Sequence, residues 1–189
     1  MILVDANILL YACNSAIELH AESRDWLDET LNGTARVGLP RAILPAFLRT
    51  AKHPRAFRSP LTMRIAWEQV SSWLSAETVW VPEPTERHAA VLDKLLALPG
   101  IYGNLVPDAH LAALAIEHGL TMCSTDGDFA RFPDLTWLNP LATRTQPVKA
   151  GRTRRGGDPL TSHGLHGVDV HWWSWLTGEN ATACLAGAR

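Results

Sequence analysis

Met1-Ile2-Leu3-Val4-Asp5-Ala6-Asn7-Ile8-Leu9-Leu10 opens the chain, and the reading of this stretch decides the fold. Four apolar residues form a segment short enough for a buried strand. The apolar residues from 8 to 13 read as the start of a helix, with Asn7 as its cap. A strand that runs through an acid straight into a helix is the opening of a β-α unit, and the rest of the chain repeats the alternation.

Residues 21–31 have helical spacing, with Trp26, Leu27 and Leu31 on the apolar side. A brief strand is expected over 36–39. Pro40 and Pro45 then flank or open a helix through Phe47-Leu48-Arg49, which Lys52-His53-Pro54-Arg55 ends. A helix over 62–74 offers Ile65, Trp67, Val70, Trp73 and Leu74 to the core. Val79-Trp80-Val81 reads as a strand closed by Pro82 and Pro84, and 85–98 as an amphipathic helix stopped by Pro99-Gly100. Another helix spans 108–118 with Gly119 as its C-cap, followed by a strand over 120–124, a helical turn over 128–132 and an edge strand over 136–138. The class is α/β: a three-layer α/β/α domain with a parallel sheet over residues 1–140. Residues 141–189 are polar, basic and glycine-rich up to Gly157 and carry an isolated His171-Trp172-Trp173-Ser174-Trp175 patch; they read as an unstructured tail.

At 189 residues and 47% apolar, the chain can bury one good core. No apolar run is long enough to span a membrane, and Asp5 interrupts what would otherwise resemble a signal segment. Cys13, Cys123 and Cys184 lack metal-ligand spacing and read as reduced thiols of a cytoplasmic protein. The histidines form no zinc pattern, and His110 reads as covering a helix face. No glycine-rich phosphate loop is present, which argues against a nucleoside triphosphatase.

The net charge of −2 hides a polarised distribution. No acid occurs between Thr30 and Trp67, a stretch that holds Arg36, Arg41, Arg49, Lys52, Arg55, Arg58 and Arg64. Four aspartates, Asp5, Asp108, Asp126 and Asp128, sit just past apolar segments or at a helix start. Taken singly, each has a plainer reading as a turn or capping residue. Beyond the carboxyl ends of a parallel sheet they would converge, and a cluster of repelling carboxylates is tolerable when it holds a hard divalent cation. A Mg²⁺ or Mn²⁺ site is therefore the first hypothesis, and the basic stretch beside it suits a polyanion.

Ile2-Leu3-Val4-Asp5-Ala6-Asn7, then Asn104-Leu105-Val106-Pro107-Asp108-Ala109-His110-Leu111-Ala112-Ala113, then Ser124-Thr125-Asp126-Gly127-Asp128-Phe129, in this order and spacing, resemble the PIN-domain ribonucleases. Within that family the chain resembles the VapC toxins of type II toxin–antitoxin pairs, and residues 46–57 resemble a helix and loop of one branch of them. The resemblance covers 1–140. It implies a Mg²⁺-dependent endoribonuclease with Asp5, Asp108 and Asp126 as metal-binding acids and Asp128 contributing to catalysis. Asn7 and Ser124 would support the carboxylates. It also implies a homodimer, a cognate antitoxin, and a structured RNA substrate such as tRNA or rRNA, with mRNA as a further class. One position departs: Ala46 stands where the family pattern has a glutamate, which disfavours a second tightly held metal.

Within the basic stretch, Arg41, Arg49, Lys52 and Arg55 are the candidates for gripping RNA phosphates, because nothing acidic nearby in sequence neutralises them. Two other readings compete. A PIN-like protein that binds RNA or antitoxin without efficient cutting is suggested by Ala46. A haloacid-dehalogenase-like phosphatase also begins with an aspartate after a strand, but needs a second aspartate where this chain has Asn7.

Overall fold

The computed structural model describes residues 1–142 apart from Arg58, so the tail reading and the Arg58 candidate lie outside the described residues. The first strand, β1 (Ile2–Val4), is central in a five-stranded parallel sheet, between β2 (Val37–Gly38) and β4 (Thr121–Cys123), with β3 (Val79–Trp80) and β5 (Trp137–Leu138) at the edges. Leu3, Val4, Val37, Met122 and Cys123 are wholly buried. Strands covered on both faces read as unbroken apolar runs, which is why these short segments carried their signal.

The helices are α1 (Ala6–Cys13), α2 (His20–Leu31), α3 (Ile43–Ala51), α4 (Met63–Leu74), α5 (His88–Leu96) and α6 (Leu105–His118). The chain steps outward from β1 to β2 to β3, then returns across β1 to β4 and β5. Right-handed crossovers place the helices of the outward steps on one face and those of the return on the other. The packing agrees: α1 lies against α2 and α3, and α3 against α4, while α5 and α6 pair separately. This is the expected α/β/α sandwich.

Strand order reverses between β1 and β4, and a crevice opens at such a reversal beyond the carboxyl ends of the strands. The register makes the point sharp. Val4 pairs with Cys123, so the next residues on each strand, Asp5 and Ser124, emerge side by side. Gly119, at φ +64°, ends α6 in the left-handed conformation and turns the chain directly into β4. Helix and strand are therefore antiparallel. Asp108 lies about 16 Å back along the helix, and Ser124 about 13 Å forward along the strand, so both reach the same end of the sheet.

Three local readings need correction. Asn7 does not cap α1; Asp5 does, its Oδ1 accepting the N–H of Ala6 at 2.6 Å, while Asn7 lies buried inside the first turn. The helix bearing Asp108 starts earlier, at Leu105, because Pro107 is tolerated where first-turn N–H groups have no helical partner. Ile65 and Trp67, expected in the core, are 44% and 53% exposed. The buried stripe of α4 is Ala66, Val70 and Trp73, and the two larger residues flank it.

Phe47 shows where the core is held. It is fully buried and meets the ring of Trp73 edge-on, with centroids 5.0 Å apart, joining α3 to α4. Phe47→Ala should lower the free energy of unfolding in urea by about 3–5 kcal/mol. Ile65→Ala, on the exposed flank, should cost under about 1 kcal/mol.

Candidate active site

At the sheet's switch point a single hydroxyl organises the centre. Ser124, wholly buried, donates to Asp5 Oδ2 at 2.7 Å, and its oxygen accepts from Asn7 Nδ2 at 2.8 Å and from the backbone N–H of Asp126 at 3.0 Å. One donor and two lone pairs are thereby all used. Backbone bonds hold this node from both sides: Asp5 N–H donates to Cys123 O and Ser124 N–H to Leu138 O. The Trp137 indole donates to Ser124 O at 3.0 Å. Asp126 then caps the 3-10 turn Gly127–Arg131, its Oδ1 accepting from Asp128 N–H at 2.9 Å, and Asp128 Oδ1 pairs with Arg131 Nε at 2.8 Å.

Asp5 is 1% exposed. Burial pushes its carboxyl up to about 7; the bonds from Ser124 and Ala6 oppose the rise, and the negative charge of Asp126 adds to it. Tyr11 and Thr125 belong to the same centre. Burial raises the Tyr11 phenol, its hydrogen bond with Thr125 acts the other way, and Asp5 and Asp126 raise it further. Neither residue was found from sequence. The signal was available: Tyr11 is four residues after Asn7, so both project from one face of α1.

Asp5, Asn7, Ser124, Asp126 and Asp128 are thus brought together. Asp108 is 2% exposed in the first turn of α6, the helix that packs on β4 and on the 3-10 turn. Among the described residues no three His, Cys, Asp or Glu side chains are grouped to hold a metal ion. Mg²⁺ usually takes one or two protein carboxylates and completes its shell with water and substrate phosphate. The pair formed by Asp5 and Asp126 fits that demand, since a buried carboxylate beside a like charge is relieved by a cation.

The basic candidates are scattered differently. Arg49 and Lys52, both exposed, line an open depression of about 520 Å³ with Pro45, Leu48, His53, Pro54 and Met63. Arg55 is exposed on the turn after α3, where its N–H donates to His53 Nδ1. Arg41 corrects the sequence reading, because its Nε meets Glu83 from beyond β3. Arg64 likewise pairs with Glu68, one turn on. A stretch without acids in sequence is not without acids in space.

His110 is half-buried, and burial lowers its pKa, with His88 acting in the same direction. Its Nδ1 lies 3.0 Å from His88 Nε2, and His88 Nδ1 lies 2.8 Å from Glu117 Oε1. This chain ties α5 to α6. Asn7, with its amide committed to Ser124, offers no acid for the phosphatase mechanism.

Residues 2–135 match the family model of the PIN domain, so the fold and the acids at its switch point define a PIN-domain protein, and the chain belongs to that family. Within it the chain belongs with the VapC ribonucleases. It is 46% identical over 142 residues to ribonuclease VapC37 of Mycobacterium tuberculosis, a match covering 75% of this chain and 99% of that protein. It is 37% identical over 145 residues to VapC ribonuclease Mb2897 of Mycobacterium bovis, covering 77% and 99%. Among solved structures the fold resembles FitAcB from Neisseria gonorrhoeae, with a TM-score of 0.55 at 21% identity over 75% of this chain and 99% of that one. It also resembles VapC20 of Mycobacterium tuberculosis, a sarcin-ricin loop cleaving toxin, with a TM-score of 0.53 at 19% identity over 72% and 99%.

The raised Asp5 carboxyl makes stability pH-dependent in a defined direction. Unfolded, it titrates near 3.8; folded, near 7. Between these values the folded chain keeps a proton that the unfolded chain has lost, so this group's contribution to stability falls as pH rises and levels off above the folded value. In chelator, Asp5→Asn should therefore gain on the wild type between pH 4 and 8, by up to roughly 4 kcal/mol in urea unfolding. Ser124→Ala removes a bond that favours the ionised form, and carboxyl NMR titration should show Asp5 moving higher still.

Proposed function

We propose that this chain is a Mg²⁺-dependent endoribonuclease, the toxic component of a type II toxin–antitoxin pair, with Mn²⁺ able to substitute. Membership of the VapC ribonucleases supports the reaction class. The observation that carries the site is the buried Asp5 carboxyl, raised by burial and by Asp126, at the crevice between β1 and β4. Asp5 and Asp126 are the first choices for holding the cation, and Asp108 is a further acid at the same end of the sheet. The bound cation would supply an activated water and offset charge on the phosphodiester.

The chain's own residues do the rest. Ser124 fixes the direction of the Asp5 carboxylate, and Asn7 fixes Ser124, so the acid is held in place before substrate arrives. Asp126 is anchored through its own backbone N–H to the same hydroxyl. Asp128 is half-buried at the edge of the centre, steered by Arg131. Ala46, buried on α3, offers no carboxylate for a second cation, which supports a one-metal arrangement.

RNA phosphates would be gripped by Arg49, Lys52 and Arg55, with Arg41 secondary because of Glu83. The antitoxin is the natural protein partner: solved neighbours include VapBC2 from Rickettsia felis bound to a DNA fragment from its promoter. A homodimer is supported by α4, where Met63, Ile65 and Trp67 remain exposed after Phe47, Phe57 and Trp73 have been absorbed by the core. No helix among the described residues is long and apolar enough to cross a membrane, and a cytoplasmic location suits an enzyme that meets cellular RNA.

Two measurements test the reading. At pH 8, Mg²⁺ or Mn²⁺ should raise the melting temperature of the wild type and leave that of Asp5→Asn unmoved. Expression of both versions, with RNA 5′ ends mapped across the transcriptome, should give discrete new ends in one RNA class for the wild type alone. Identical profiles would overturn the ribonuclease assignment. Arg49→Glu with Arg55→Glu should flatten the salt dependence of RNA binding, by about 0.7 in the log–log slope for each single-strand phosphate that is no longer neutralised.

A further inference from the structure

Of the described cations in the acid-free stretch, Arg36 is the one that neither the proposed phosphate grip nor a nearby acid accounts for. It is exposed, and its guanidinium lies over the ring of Trp80, 5.5 Å from the centroid. The plain reading is a cation–π contact that fastens β2 to β3. Three further observations go beyond it.

The first is register. Ile2 pairs with Val37 and Val37 with Val79, while Leu3 pairs with Gly38 and Gly38 with Trp80. The ladder continues one step back, where Ile2 N–H donates to Arg36 O and Thr121 N–H to Met1 O. Side chains alternate between the faces of a sheet, so Met1, Arg36 and Trp80 project from one face. Met1 and Arg36 precede β1 and β2, which sets them at the amino end of the sheet, about 13 Å from Asp5 along β1. His118, the last residue of α6, completes the group, its ring meeting Trp80 edge-on with centroids 5.2 Å apart. These four residues line one cavity of about 180 Å³.

The second is what the lining offers. Trp80 Nε1 is buried and has no acceptor among the described residues. A buried donor left unpaired costs free energy that an acceptor in the cavity would recover. His118 Nε2 lies 2.8 Å from Glu83 O; a carbonyl can only accept, so Nε2 holds a proton and Nδ1 is the nitrogen left over. The third is what the lining lacks. No carboxylate lines the cavity, and among the described residues Arg36 has no ion pair. The end of α6 opposes an anion here, because a helix C-terminus carries partial negative charge. Its carbonyls are already engaged, Ile116 O by Gly119 N–H and Ala115 O by Leu120 N–H. A whole guanidinium charge exceeds the roughly half-unit charge of even an uncapped helix end.

We infer that this cavity binds a phosphate group, as free orthophosphate or as a small phosphate monoester. The Arg36 fork would hold one edge of the group, and Trp80 N–H a further oxygen. His118 Nδ1 would share a proton with the P–OH that orthophosphate and its monoesters carry and a diester lacks. The site lies at the opposite end of the sheet from the acidic centre, and it is independent of the ribonuclease reading.

The test uses the full chain, with tryptophan labelled at the indole nitrogen, in chelator so that no cation draws phosphate to the acids. The Trp80 indole signal is identified by its absence from the NMR spectrum of Trp80→Phe. At constant ionic strength, inorganic phosphate should shift that signal saturably, in the millimolar range. Methyl phosphate binding equally well would name monoesters as the source; binding by phosphate alone would name the free ion. Dimethyl phosphate and acetate should each bind about ten-fold more weakly or worse. Arg36→Gln should lose about ten-fold in phosphate affinity, and Trp80→Phe, followed by calorimetry, a similar factor. Arg36 is exposed, so Arg36→Gln should melt with the wild type.

A Trp80 signal that phosphate leaves unmoved, or moves without saturating, would overturn the site. Wild-type phosphate affinity in Arg36→Gln would overturn it too. Dimethyl phosphate bound as tightly as phosphate would replace it by a contact for nucleic-acid backbone, and acetate bound as tightly by a carboxylate site. Loss of the ribonuclease assignment would leave each of these outcomes readable.

Discussion

A carboxylate buried at a sheet's switch point is the constraint on which this molecule turns. Asp5 is placed there by the backbone: it follows β1, caps α1 with one oxygen and takes the Ser124 hydroxyl with the other. Caps at helix starts normally sit in water, where their charge costs little. Here burial drives the carboxyl up to about 7, and Asp126 worsens its position. Stability alone would favour an asparagine, which could cap as well without the charge. A buried acid that opposes folding at the mouth of a crevice is a candidate for binding or chemistry, because perturbed groups cluster at functional sites.

Ser124 converts that cost into geometry. Its three hydrogen bonds tie Asp5 and Asn7, at the junction of β1 and α1, to the segment leading to the 3-10 turn, more than one hundred residues on in sequence. A saturated hydroxyl cannot rotate without breaking a buried bond, so Asp5 and Asp126 are held relative to each other without any cation present. The separation of buried node and exposed rim also divides the work. In a ribonuclease the node would set where a phosphodiester is attacked, while the exposed basic residues of α3 would lie where substrates can be chosen.

Much of this was legible in the sequence, for reasons that can be named. Short strands buried on both faces appear as apolar runs, and an acid at such an end stands out because it interrupts apolar sequence, as Asp5 does between Val4 and Ala6. Asp5, Asp126 and Asp128 come together in space because parallel strands share a carboxyl end. What the sequence could not carry was orientation. Asn7 looked like a cap because amides commonly cap; only the position of Ser124, 117 residues on, shows why it is turned inward. Trp67 and Ile65 looked like core because their chemistry is apolar, but Ala66, Val70 and Trp73 fix the phase of α4 and leave them outside.

Charge was the least legible property, and the reason is general. A run of basic residues is a statement about neighbours in sequence, whereas electrostatic work depends on neighbours in space. Arg41 finds Glu83 from beyond β3, and Arg64 finds Glu68 one turn on, so two members of the acid-free stretch are committed to acids that lie outside it. Both pairs are exposed, and such pairs contribute little to stability. Their consequence is instead for binding: a paired arginine must give up its partner before it can take a phosphate, whereas Arg49 and Lys52 project beside an open depression lined by other side chains of α3 and the following turn. On the proposed reading the phosphate grip would narrow from a stretch of chain to one end of one helix, and that narrowing, rather than total positive charge, would decide where a polyanion lies as it reaches the acids.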